Sequence, residues 1–83
     1  MNWKIVDKKL IKVFILHDLS EIIQKLNILT EIANEKNHHP NFCVFDYRKI
    51  RFELWTHDQN TITAADYKLA EIIDSLFGKV RPS

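Results

Sequence analysis

Three of the four histidines in this 83-residue chain lie where they could converge. His38 and His39 are adjacent, and His57 lies at the end of a later alternating segment. If residues 42–47 and 49–57 form a hairpin, the end of the second strand returns to the start of the first and brings His57 next to the doublet. Imidazole donates and accepts protons near neutral pH. The spacing therefore predicts a cluster that could transfer protons at two places on one small molecule, with solvated histidines of no chemical role as the alternative.

The same three imidazoles could hold a zinc ion with one coordination position open. Adjacent histidines are poorly suited to this, because neighbouring side chains of an extended segment point to opposite sides. The chain also contains no Cys-x-x-Cys and no His-Glu-x-x-His motif. The sequence therefore disfavours a metal site.

Other reactive side chains have a chemical and a structural interpretation. Cys43 could be a nucleophile beside a histidine, but its apolar surroundings are typical of a buried, inert thiol. Asp66 could orient His57, but a carboxylate at the third position of a helix is also what a capping box and the helix dipole favour. A local basic patch, more typical of a solvated strand face than of a phosphate site, comprises Arg48, Lys49 and Arg51.

Composition and charge describe one small domain spanning residues 1–83. Apolar residues make up 46% of the chain and charged residues 28%, which is typical of folded domains. The formal net charge of +1 provides no dominant surface for nucleic acid or an anionic membrane. No apolar run reaches the roughly 20 residues of a transmembrane helix, no signal peptide is recognisable, and the single cysteine favours a reducing compartment. We therefore expect a cytoplasmic protein with no membrane partner and no direct nucleic-acid partner.

The hydrophobic pattern predicts strands at residues 3–6, 10–16, 42–47 and 49–57. In the last of these, Ile50, Phe52 and Leu54 alternate with more polar residues and should face the core. His57 falls on the opposite face, together with Trp55. The two hairpins flank a long helical segment.

Each predicted helix has capping signals and an apolar face. Asp18 and Glu21 could form a capping box at the start of the first helix, as Thr63 and Asp66 could in the second. The proline at position 40 should end the first helix near residues 35–37, and Gly78 should end the second, followed by the proline at position 82. The apolar faces consist of Leu19, Ile22, Ile23, Leu26, Leu29 and Ala33 in the first helix and of Leu69, Ile72, Ile73 and Leu76 in the second.

Antiparallel strands with both helices on one face provide the simplest burial of the two apolar helix faces. The sequence therefore predicts an α+β fold, a four-stranded antiparallel sheet with two long helices packed on one face, in the order β-β-α-β-β-α. A sheet this small has exposed edges, which favour dimerisation through them.

The chain resembles the pterin-4a-carbinolamine dehydratases over nearly its whole length. Their signature is an acidic residue four positions before a His-His-Pro, followed by an aromatic residue, a histidine and an aspartate at fixed spacings. Ten residues separate the aromatic residue from the histidine here, and nine separate that histidine from the aspartate. The matching residues are His38, His39, Pro40, Tyr47, His57 and Asp66.

This resemblance implies dehydration of 4a-hydroxytetrahydrobiopterin, or a related pterin, to the quinonoid dihydropterin with no metal or cofactor. The reaction recycles the cofactor of the aromatic amino-acid hydroxylases, and family members form homodimers or homotetramers. His38 and His57 would be the acid–base pair, and His39 would orient the substrate. The pterin would also be lined by Pro40, Thr56, Asp58 and Gln59, with Asp66 supporting His57.

The chain departs from the family pattern at Asn34, which stands where members have the acidic residue, with Glu35 one position later. One residue along a helix is a rotation of about 100°. Asn34 could therefore orient an imidazole without supplying charge, or Glu35 could turn inward and supply it. The gap between Pro40 and Tyr47 is also one residue longer than in many members, which a bulge or a looser turn could absorb.

The alternative function is a non-catalytic dimerisation or binding module on the same fold. A vertebrate member of the family that the chain resembles also serves as a transcriptional dimerisation cofactor. The three histidines at family spacings favour the enzyme, and Asn34 favours the binding module.

Overall fold

The computed structural model describes residues 2–78 and contains the predicted elements in the predicted order. A short 3-10 helix, His57–Gln59, lies between the last strand and the second helix. No helix within residues 2–78 is long and apolar enough to cross a membrane. The strands and long helices are β1 (Lys4–Val6), β2 (Lys9–Ile15), α1 (Leu19–Lys36), β3 (Asn41–Phe45), β4 (Lys49–Leu54) and α2 (Ala64–Phe77).

The four strands form one antiparallel sheet in the order β1-β2-β4-β3. Alternate residues of the central strands, among them Leu10, Phe14 and Phe52, are buried against the helices. Both helices contribute to the same core, through residues such as Ile22 in α1 and Ile73 in α2. The α+β architecture predicted from the sequence is therefore confirmed.

The ends of α1 are set by side-chain and backbone caps. Asp18 accepts a hydrogen bond from the backbone N–H of Glu21 at 2.9 Å, as predicted. The carboxylate of Glu21 accepts a hydrogen bond from the N–H of His17 at 2.7 Å. At the other end, Asn37 adopts a left-handed conformation, and the N–H of His38 bonds to the carbonyl of Ala33 at 3.1 Å. This cap ends the helix where the sequence predicted and turns the histidine doublet away from it.

The predicted apolar face of α1 is wider than the face that the structure buries. Ile22, Leu29 and Ala33 are buried, whereas Leu19 and Ile23 are 46% and 48% exposed. A helix turns by about 100° per residue, so residues at the margin of the face reach beyond the sheet that covers its centre.

Several element boundaries differ from the predicted ones. The last strand ends at Leu54, because Thr56 leaves the β2–β4 ladder and bonds to Thr61, with its N–H 2.9 Å from that carbonyl. The chain between them forms the 3-10 helix, so His57 begins this helix and does not end a strand. Gly78 caps α2 as predicted, and the predicted stop at Pro82 lies outside the described residues.

The β1–β2 turn contains two residues other than glycine in a left-handed backbone conformation. Asp7 and Lys8 have φ values of 50° and 61°, and they join the paired residues Val6 and Lys9. Two-residue hairpin turns with positive φ at both positions favour Asn or Asp followed by Gly. Lys8 therefore occupies a position at which its Cβ is unfavourable.

We predict that Lys8→Gly stabilises the protein. Glycine removes a left-handed penalty of about 1–2 kcal/mol, and its greater freedom in the unfolded chain cancels about 0.5–1 kcal/mol of that gain. Urea denaturation should show a higher midpoint at an unchanged m-value. Lys4→Gly, an exposed lysine within β1, is the matched control and should lower the midpoint. A lower midpoint for Lys8→Gly would contradict the prediction.

Candidate active site

The end of α1 and the end of β4 bring the three predicted histidines to one cavity. His38 and His39 follow the left-handed cap of α1, and His57 begins the 3-10 helix after β4. The cavity has a volume of about 260 Å³ and is lined by Asn37, His38, His39, Trp55, Thr56, His57 and Asp58. The convergence predicted from hairpin topology is confirmed, and the chemical roles of these residues remain predictions.

His38 is paired with a fully buried carboxylate. Its Nε2 lies 2.7 Å from Oδ1 of Asp66, which has no exposed surface. The expectation that Asp66 supports His57 is therefore wrong, because its carboxylate bonds the first histidine of the doublet. The start of α2 packs against the α1–β3 corner, so the partner of Asp66 is distant in sequence and close in space.

The second oxygen of Asp66 is bound by two threonines. Its Oδ2 accepts from Oγ1 of Thr56 at 2.8 Å and from the N–H of Thr63 at 2.9 Å. The latter contact belongs to the predicted capping box, which is confirmed. An ionised carboxylate only accepts hydrogen bonds, so the proton between Asp66 and His38 lies on Nε2. The other ring nitrogen, Nδ1, takes no part in this contact.

His39 is held by a neutral group. Its Nε2 lies 2.7 Å from Oδ1 of Asn34, an amide oxygen that can only accept. Glu35 is exposed, and among residues 2–78 no hydrogen bond or ion pair joins its carboxylate to a histidine. Asn34 therefore orients the imidazole of His39, which is one of the two alternatives predicted from the sequence.

The imidazole of His57 packs mainly against an aromatic ring. Its imidazole stacks on the indole of Trp55, with centroids 4.3 Å apart and planes inclined by 8°. Nδ2 of Asn41 lies 3.4 Å from its Nε2. Neither Trp55 nor Asn41 is among the predicted site residues, although strand alternation places Trp55 and His57 on the same face.

The other residues predicted to line the substrate are distributed around the site. Thr56 and Asp58 line the histidine cavity, while Gln59 is an exposed residue at the end of the 3-10 helix. Pro40 lines a separate, more apolar cavity of about 80 Å³, which also includes His39. Asp66 is buried and is connected to the cavity through His38 and Thr56, which bond its two oxygens and line the cavity.

The structure decides between the chemical and the structural interpretations of Cys43 and of the basic residues Lys49 and Arg51. Cys43 is exposed and not buried as expected, because its register partner is Arg51 on the open face of the sheet. Arg51 and Lys49 form ion pairs with Glu53 and Asp46, as expected of a solvated strand face. Within residues 2–78, no three His, Cys, Asp or Glu side chains are arranged to hold a metal ion.

The longer gap between Pro40 and Tyr47 ends in a three-residue connection. Residues 46–48 join the paired residues Phe45 and Lys49, and both Asp46 and Tyr47 have positive φ. Tyr47 is 68% exposed at this hairpin tip. The aromatic residue of the signature therefore lies at the end of β4 opposite to the histidine cavity.

The fold places two helices on one face of a four-stranded antiparallel sheet. A histidine doublet meets a third histidine at one end of this sheet, and the fold and the site together define a class of small α+β proteins. A family model described as pterin 4 alpha carbinolamine dehydratase matches residues 1–76. The chain is 39% identical to a protein of Sulfurisphaera tokodaii over 90% of this chain and 80% of that one, and 36% identical to a protein of Metallosphaera sedula over 90% and 77%. Both carry the name "Putative pterin-4-alpha-carbinolamine dehydratase". The chain belongs to the pterin-4a-carbinolamine dehydratase family.

Solved structures share the fold. A transcriptional coactivator/pterin dehydratase from Brucella melitensis superposes with a TM-score of 0.85 at 26% identity, covering 92% of this chain and 82% of that one. A pterin dehydratase-like protein described as a RuBisCO assembly factor of the alpha-carboxysome superposes with a TM-score of 0.76 at 22% identity, covering 96% and 94%. The same architecture therefore occurs in proteins described by different functions.

We predict that Asp66→Asn destabilises the protein by about 1–3 kcal/mol, because an amide cannot accept hydrogen bonds at both former carboxylate oxygens and leaves a buried donor unpaired. Urea denaturation measures the loss. Asp58→Asn is the control, since Asp58 is an exposed carboxylate beside the same cavity, and its effect should stay within about 0.5 kcal/mol. Equal effects of the two substitutions would contradict the buried Asp66 network.

We predict that Asn34→Asp moves the titration of His39 to higher pH. The new carboxylate would lie where Oδ1 of Asn34 lies now, 2.7 Å from Nε2 of His39, and a negative charge at that distance favours the protonated imidazole. Proton NMR titration of the histidine ring protons measures the midpoint. Glu35→Gln is the control and should leave the midpoint unchanged, whereas a shift in Glu35→Gln alone would assign the role to Glu35.

Proposed function

We propose that this protein dehydrates a 4a-hydroxytetrahydropterin to the quinonoid dihydropterin. The observation that carries the proposal is the meeting of His38, His39 and His57 around one open cavity, with each imidazole held by a different partner. Imidazoles are suited to moving protons at neutral pH. The family membership supplies the substrate class.

The reaction needs two proton transfers and no change of oxidation state. The C4a–O bond breaks, and a proton delivered to the departing hydroxyl releases it as water. A second proton leaves ring nitrogen N5, and its bonding electrons form the C4a=N5 double bond. One imidazole acting as acid and another acting as base on the same flat ring therefore balance the reaction.

His38 and His57 form this acid–base pair. His38 exchanges its proton through Nδ1, because its Nε2 is bound to Asp66. His39 orients the substrate. Thr56 and Asp58, which line the cavity, would contact the pterin ring, with Pro40 and Gln59 at the margins. Asp66 acts by fixing the tautomer and orientation of His38.

We also propose that the protein works in the cytoplasm as a homodimer or homotetramer, in tetrahydrobiopterin recycling for an aromatic amino-acid hydroxylase. The outer strands of the sheet, β1 and β3, leave backbone groups available for pairing with a second copy. Phe42 of β3 is 51% exposed beside this edge. Size-exclusion chromatography with light scattering measures the number of copies.

A non-catalytic binding module is the second candidate function. Asn34 favours it, because this position supplies no negative charge to stabilise an imidazolium. The resemblance of the fold to the RuBisCO assembly factor supports the idea that such sheets can serve as scaffolds. Incubation with freshly generated 4a-hydroxytetrahydropterin, followed by ultraviolet absorbance, separates the candidates. No acceleration over the spontaneous reaction would reject the enzyme.

We predict that His38→Ala and His57→Ala each lower kcat/KM about a hundred- to ten-thousand-fold, the usual contribution of a general acid or base. The spontaneous dehydration sets the lowest rate that can be measured. His39→Ala should act mainly through KM. The fourth histidine, His17, is exposed and lies before α1, so His17→Ala is the control and should retain wild-type activity. Full activity of His38→Ala or His57→Ala would remove that residue from the acid–base pair.

A further inference from the structure

The indole of Trp55 lies inside the site and packs flat against one of its imidazoles. Trp55 directly follows the last residue of β4, Leu54, and lines the histidine cavity. Its ring centroid is 4.3 Å from that of His57, and the planes differ by 8°. The family resemblance assigns no role to this residue, so its place beside His57 needs a separate explanation.

The orientation of His57 depends on stacking, whereas the orientations of His38 and His39 depend on hydrogen bonds. His38 and His39 each make a 2.7 Å hydrogen bond to a side-chain oxygen. Among residues 2–78, the imidazole of His57 has only the 3.4 Å approach of Nδ2 of Asn41. Stacking restrains the plane of an imidazole, while hydrogen bonds to its two nitrogens lie within that plane. The indole can therefore orient His57 without occupying a nitrogen that must exchange a proton.

Lys9 restrains the indole in turn. Its Nζ lies 4.4 Å from the centroid of the Trp55 ring, a distance at which the ring attracts a cation. The β2–β4 register pairs Leu10 with Leu54 and so brings Lys9 opposite Trp55, one residue beyond that pair. Trp55 is therefore held from the neighbouring strand as well as from the cavity.

Building on the proposed dehydratase function, we propose that Trp55 is the positioning residue of His57. Its indole fixes the plane in which the imidazole exchanges protons with the pterin, as Asp66 does for His38 by a hydrogen bond. The charged and titratable groups around His57 are Asp58 beside it in the chain, the two histidines of the doublet across the cavity, and Lys9 on the indole. All of these remain when Trp55 alone is replaced.

Steady-state kinetics of three variants test the proposal. Trp55→Leu removes the stack, and Trp55→Phe restores an aromatic ring. Phe45→Leu is the matched control, because Phe45 is a ring on the same sheet face with Lys49 over it at 5.9 Å. We expect Trp55→Leu to lower kcat about tenfold to a hundredfold with little change in KM, Trp55→Phe to recover most of the loss, and Phe45→Leu to match the wild type. A higher KM at unchanged kcat would overturn the proposal, since Trp55 would then be a surface for the substrate.

Proton NMR of the free protein separates a failure of this proposal from a failure of the dehydratase assignment. The indole should shift the ring protons of His57 upfield, Trp55→Leu should abolish the shift, and Trp55→Phe should keep part of it. An unshifted His57 in the wild type would overturn the proposal whatever the activity. A Trp55-dependent shift in a protein that does not accelerate the dehydration would support the orientation by Trp55 and reject the dehydratase assignment.

Discussion

The buried carboxylate of Asp66 connects the start of α2 with the chain after β4 and with the α1–β3 corner, which is distant in sequence. One oxygen bonds His38 at the α1–β3 corner, and the other bonds Thr56 after β4 and Thr63 at the start of α2. A carboxylate without exposed surface is tolerated only when its oxygens are occupied. The carboxylate that caps α2 through Oδ2 therefore also orients His38 through Oδ1, so the helix and the site depend on each other.

The three imidazoles of the cavity are held by three different kinds of partner. His38 has an anionic carboxylate, His39 a neutral amide oxygen and His57 the face of an indole. These partners differ in charge and in whether they occupy a ring nitrogen. Histidines of the same type thereby acquire different chemical surroundings within a cavity of about 260 Å³. Unequal surroundings are what an acid, a base and an orienting group require if they are to act on one ring.

The sheet is a scaffold whose architecture does not by itself define a function. The same fold is found in a protein described as a pterin dehydratase and in one described as a RuBisCO assembly factor. Function must therefore be argued from the residues of the site. In this chain the histidines, Asp66 and the stacked indole support the proposed dehydratase. Asn34, which has no charge where the family pattern has an acidic residue, supports the binding module.

The sequence by itself determined the features that depend on neighbouring residues. Strand alternation, helix periodicity, the Thr63–Asp66 capping box and the end of α1 all follow from short-range geometry, and the hairpin brings His57 to the doublet. Only the tertiary structure decided that Asp66, nine residues after His57, bonds His38, which lies 28 residues before it. The exposure of Cys43 and the stack of Trp55 on His57 were decided in the same way. Such contacts depend on how α2 packs against the α1–β3 corner and on where β4 leaves the sheet, and no local pattern of residues encodes these distances.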